Sequence, residues 1–155
     1  MTELEGPKAD PIDYAFFQRT APEALAALAA LGKAVDEAGL EKALTELVKL
    51  RVSQINGCAF CVAFHLNIAR RIGVENPKLD LVSVWRDSAV FSAREREALG
   101  WAEALTTMAA QGAPSPEPSA EFSPREVLRL TVAIAHINAW NRIAGGLHFA
   151  PPALH

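Results

Sequence analysis

The segment Cys58-Ala59-Phe60-Cys61 carries both cysteines of a 155-residue chain, and His65 follows the second by four residues. Two thiols at this spacing can close into a disulfide without moving the rest of a fold. An imidazole one helical turn further on can take a proton from one of them. Together they suit a thiol that attacks and a partner that resolves the product. On a helical wheel with Cys58 at zero, Cys61 falls at about 300° and His65 at about 340°. That arc also holds Val62, Ala69 and Ile72, while Asn67, Arg70 and Arg71 take the other side. The three reactive groups therefore face protein and not bulk water.

Asn56-Gly57 precedes the pair. Asn56 is expected to cap the helix and Gly57 to let the chain turn tightly. Both cysteines then fall in the first turns, where unpaired amides and the helix dipole favour a thiolate. The dipole favours Cys58 as nucleophile, and the base favours Cys61. Residue types alone leave that choice open. Other chemistries fit the spacing less well. A c-type haem site needs histidine directly after the second cysteine, where Val62 stands. A structural zinc site needs four ligands, and His136 and His148 lie outside any paired motif. A thioredoxin-like site needs a βαβ context. No cofactor and no metal are expected.

The elements that must position these groups read as helices throughout. Helical patterns cover residues 22–35, 40–55, 58–72, 77–90, 92–110 and 124–144, and no run alternates at period two. Ser92 with Glu95, and Ser123 with Glu126, are capping boxes, the second with Pro124 at its first helical position. Residues 111–121 hold Pro114, Pro116 and Pro118 and read as a surface loop within a single domain, 1–155. The fold class is all-α, with about six helices. The last helix is apolar almost all round, which places it at the centre of the fold or in a subunit interface. His136, Trp140, Trp85 and Trp101 read as core or interface residues, and Asn138, Asn141 and Arg142 as ties between helices. Arg51, inside an apolar stripe, requires a carboxylate partner or a subunit contact. By the same wheel Glu46 lies on the solvent side of its helix.

Half of the chain is hydrophobic, enough for a core, and the net charge is −3. That balance argues against nucleic acid as a partner. No segment approaches the ~18 apolar residues of a membrane span. Residues 1–10 lack the charged-then-apolar order of a secretory leader, so a cytoplasmic location is expected. There a cysteine pair is more often reactive than a structural staple.

The run Glu46-Leu-Val-Lys-Leu-Arg51, Ser53-Gln54-Ile55-Asn56-Gly57-Cys58, Cys61 and His65 resembles the core of the AhpD-like alkylhydroperoxidases, which belong with the carboxymuconolactone decarboxylase superfamily. The family pattern of Glu, eleven residues, Cys-x-x-Cys, three residues and His falls on Glu46, Cys58, Cys61 and His65 without a gap. Trp85-Arg86, Phe91 to Leu99, Phe122 to Glu126 and Ile137 to Arg142 extend the likeness over nearly the whole chain. The resemblance implies an all-helical homo-oligomer (dimer, trimer or hexamer) that reduces hydroperoxides and is recycled by an external dithiol or disulfide reductant. It implies Cys61 as the peroxidatic thiol, Cys58 as the resolving thiol, and Glu46 with His65 as the proton relay. One departure stands out: well-characterised members of that family also place a histidine between the two cysteines, next to the second, where this chain has Phe60. That change motivates an alternative expectation, a non-catalytic redox-sensing or assembly protein of the same fold.

Overall fold

Residues 11–155 are described by a computed structural model; the expectation about residues 1–10 lies outside them. The described residues are helical, with no strand among them. Asp13 caps α1 (Tyr14–Thr20), a helix not anticipated from the sequence. Then come α2 (Pro22–Glu37), α3 (Lys42–Ile55) and α4 (Ala59–Arg71). The expected helix over 77–90 divides into α5 (Asn76–Leu81) and a 3₁₀ segment (Val82–Asp87) with a non-helical break at Val84. Helix α6 (Ala93–Thr106) ends short of 110, and a single turn, α7 (Met108–Gln111), follows it. Helix α8 spans Pro124–Trp140 and runs into a π-helical turn, Asn141–Gly145. Both capping boxes form as expected: Ser92 and Ser123 accept from the amides of Glu95 and Glu126, whose carboxylates accept from the cap amides in return.

Helix α3 is the axis of the fold, packed against α4, α6 and α8. On one side Leu44, Val48 and Val52 join Ala98, Leu130, Ile134 and Ile137. On the other, Leu47 and Leu50 join Ala69, Leu79, Val82, Trp85 and Leu99. Each buried valine, leucine or isoleucine among them contributes about 1.5–3 kcal/mol by leaving water. Every residue from Leu44 to Leu50 is buried, including Thr45, Glu46 and Lys49. A helix enclosed on all sides must satisfy its polar groups internally. Ser53 Oγ accordingly donates to the Lys49 carbonyl at 2.7 Å.

The placement of Glu46 on the solvent side is therefore overturned: its side chain is fully buried. The wheel sees only the helix's own pattern, whereas α4 and the end of α2 cover that side with His65 and Asp36. Arg51 finds its carboxylate within the chain, with Nε donating to Glu103 at 2.8 Å. Trp85 Nε1 and Arg86 converge on the same Glu103. Burial raises the Glu103 carboxyl, but these three donors outweigh it and hold the group below its ordinary pKa. Segment 112–121 is an irregular loop, as its prolines require. It roofs an apolar hollow of about 520 Å³ over Trp101, Phe122 and Leu130.

Candidate active site

The turn between α3 and α4 sets the positions of the two sulfurs. Asn56 ends α3 rather than starting α4, which corrects the expected cap. Its side-chain amide is used elsewhere, donating to Asn138 at 3.0 Å and Asn141 at 2.9 Å and so tying the turn to the end of α8. Asn141 in turn donates to Ser53 Oγ at 3.0 Å. Gly57 adopts φ +67°, a region costly for other residues. Cys58 itself is the N-cap of α4, its Sγ accepting the amide of Cys61 at 3.2 Å. Cys58 and Cys61 are joined as a disulfide, their Cα atoms 5.3 Å apart.

The two sulfurs have different surroundings. Cys58 is 0% exposed, and the π-helical turn closes over it. A Cβ added to Gly145 would stand 3.2 Å from Cys58 Cβ and 3.6 Å from its Sγ. Only an unsubstituted residue lets the backbone approach so closely. Cys61 is 3% exposed but lines a cavity of about 190 Å³ with Tyr14, Phe60, Phe64 and Trp140. Phe60, between the two cysteines, lies at the centre of a ring cluster. Its centroid is 5.7 Å from Tyr14, 5.8 Å from Phe149 and 6.2 Å from Phe64. The sequence reading missed Tyr14, Phe64 and the cavity-facing role of Trp140. Phe64 could have been found by its three-residue spacing from Cys61 on α4, but no spacing signal joins Tyr14 and Trp140, which come from other helices.

His65 sits one turn after Cys61 on α4, and its Nδ1 meets Glu46 Oε2 at 2.7 Å. The other carboxylate oxygen, Oε1, takes Lys42 Nζ at 2.9 Å and Lys49 Nζ at 3.0 Å. Asp36 completes the group, 2.6 Å from Lys42 and 3.4 Å from Lys49. Burial alone raises the Glu46 carboxyl, but the hydrogen bond and charge of His65, with the two lysines, outweigh it and hold Glu46 at about 2. Glu46 is thus ionised at neutral pH and can only accept, so Nδ1 of His65 must be the donor. In the neutral ring the lone pair then lies on Nε2, the tautomer a general base needs. His136, by contrast, is a packing residue. Its Nε2 donates to the Leu28 carbonyl at 2.9 Å, and burial pushes its pKa down.

No cluster of three or more His, Cys, Asp or Glu among the described residues has the geometry of a metal site. No helix of the described chain is long and apolar enough to cross a membrane.

An all-helical fold that buries a Cys-x-x-Cys disulfide beside a Glu–His pair defines a dithiol protein of AhpD-like architecture. The chain belongs to the carboxymuconolactone decarboxylase family, whose sequence profile matches residues 22–104. It is similar to an Agrobacterium tumefaciens protein of unknown function, ATU0492, provisionally described as an antioxidant defence protein AhpD. The two share 42% identity over 88% of this chain and 96% of that one, with a TM-score of 0.81. The uncharacterized protein YdfG of Bacillus subtilis is 28% identical over 131 residues, 83% of this chain and 89% of its own. The debrominase Bmp8 has a TM-score of 0.74 at 22% identity, over 85% of this chain and 73% of that one, a likeness of fold alone.

Proposed function

We propose that this protein is a dithiol peroxidase that reduces hydroperoxides at Cys61. The observation that carries the reading is the 2.7 Å contact of Glu46 with His65, one turn from a cysteine that lines an apolar cavity. In the reduced protein, His65 Nε2 takes the Cys61 proton and the thiolate attacks the terminal peroxide oxygen. The O–O bond breaks, water or an alcohol leaves with the proton, and Cys61 becomes a sulfenic acid. Cys58, three residues away, displaces hydroxide from that sulfur and the disulfide forms. Both electrons come from the two thiols, and an external dithiol restores them. Access adds support for Cys61 as the attacking sulfur, because Cys61 lines a cavity whereas Cys58 is fully buried. In this reading the protein acts in the cytoplasm as a homo-oligomer, the assembly supported by the exposed Leu128 and Val132 of α8.

The test is peroxide consumption with dithiothreitol as reductant. The wild type turns over, whereas Cys61→Ser falls to background. Equal rates for the two proteins refute the proposal. Absent turnover with an oligomer size that follows the redox state assigns the fold to redox sensing instead.

A further inference from the structure

We infer that the reducing dithiol also attacks Cys61, entering through the same aromatic mouth as the hydroperoxide, and that Cys58 is the buried leaving group. This rests on the peroxidase reading and specifies its second half-reaction. Thiol–disulfide exchange requires a thiolate to reach one sulfur along the S–S axis, and the sulfur left behind departs as a thiolate. Two observations select the sulfur. Cys58 is wholly enclosed, with the Gly145 backbone against its Cβ and sulfur, whereas Cys61 lines the 190 Å³ cavity. Cys58 also caps α4 and accepts the Cys61 amide, so negative charge released on it meets an N–H and the positive end of a helix.

The step balances as follows. The dithiol's first thiol gives its proton to His65 Nε2, and its sulfur bonds to Cys61 as the Cys58–Cys61 bond breaks. Cys58 leaves as a thiolate. The second thiol gives its proton to the Cys58 thiolate and closes onto the first sulfur, forming the reductant's own disulfide and releasing Cys61 as a thiolate. Two electrons pass from the dithiol to the protein. The mouth is ringed by Tyr14, Phe60, Phe64 and Trp140, an apolar lining that suits a thiol on a short aliphatic chain. A cavity of about 150 Å³ is known to take a benzene ring, so this one holds a small organic molecule at a time. Hydroperoxide and reductant must therefore alternate.

The oxidised protein is treated with excess 2-mercaptoethanol and no hydroperoxide, quenched in acid, alkylated and mapped by mass spectrometry. The adduct is expected on Cys61 with Cys58 alkylated; an adduct on Cys58 overturns the inference. A second measurement uses single-cysteine proteins and 5,5′-dithiobis(2-nitrobenzoate). Cys61 in Cys58→Ser is expected to react at least tenfold faster than Cys58 in Cys61→Ser, and the reverse order overturns it. Cumyl alcohol, which would occupy the mouth, should slow adduct formation in the wild type; an unchanged rate overturns the shared entrance. Because the mapping needs no peroxide, an adduct on Cys58 in a protein that still turns over peroxide sinks this inference alone. A wild type without turnover sinks the peroxidase reading instead.

Discussion

At the residue scale, Glu46 carries the most consequence for least visibility. Its carboxylate fixes the tautomer of His65 and lies among two lysines and an aspartate. In Glu46→Gln the side-chain NH₂ can donate to Nδ1, moving the ring proton to Nε2 and removing the base. Peroxide turnover should fall by about 10²–10⁴-fold, the usual range for a positioned acid–base group, while Gln keeps nearly the same volume. The same carboxylate predicts an acid-sensitive fold. Its pKa is about 2 when folded against 4.5 as the ordinary value, so the unfolded chain binds the proton first as the pH falls. The stability it contributes is complete above about pH 4.5 and is lost on the way to pH 2. Urea unfolding at several pH values should show a shallower decline across that window for Glu46→Gln than for wild type. Parallel curves would mean that His65 and the lysines do not hold the carboxylate ionised.

At the element scale, the short turn between α3 and α4 decides where the sulfurs sit. Gly57 has φ +67° and nothing within 4 Å of an added Cβ, so Gly57→Ala tests backbone conformation alone. It should cost about 1–2 kcal/mol, the penalty for an L-residue in the left-handed region. Gly146, equally uncrowded but at φ −63°, is the matched control, and Gly146→Ala should leave the melting temperature nearly unchanged. Equal shifts in both would refute the argument. Much at this scale was legible from the chain. The two capping boxes, the proline loop and the face shared by Cys61 and His65 follow from local patterns that only a few neighbouring residues decide. Asn56 misled because two roles compete for one residue type. Its amide serves Asn138 and Asn141, contacts more than eighty positions away in the chain, and Cys58 caps α4 instead. Glu46 misled for a related reason, since periodicity reports one helix's preference and says nothing of what neighbours lay over it. Only the family pattern drew attention to it. Tyr14 and Trp140 meet at Cys61 through tertiary packing, for which no local signal exists, whereas Phe64 follows Cys61 by three residues on α4 and its spacing alone could have placed it there.

For the whole molecule, the expectation of an apolar last helix resolves into two faces. Leu130, Ala133, Ile134 and Ile137 enter the core. Leu128 is 64% exposed and Val132 37%, one turn apart on the outer side. On the homo-oligomer reading, a second copy of the chain would cover that stripe. If so, the wild type sediments as an oligomer in analytical ultracentrifugation and Leu128→Glu shifts it to smaller species; a monomeric wild type or an unchanged distribution would refute an interface on this face.

The nearness of the two sulfurs has a further consequence under oxidative stress. A cysteine oxidised once is exposed to a second, damaging oxidation for as long as its partner must travel to meet it. Here the partner waits in the same helical turn, with Cα atoms 5.3 Å apart and no segment to unfold. On the peroxidase reading, the enzyme should tolerate peroxide concentrations that poison peroxidases whose second thiol arrives from a distant part of the chain.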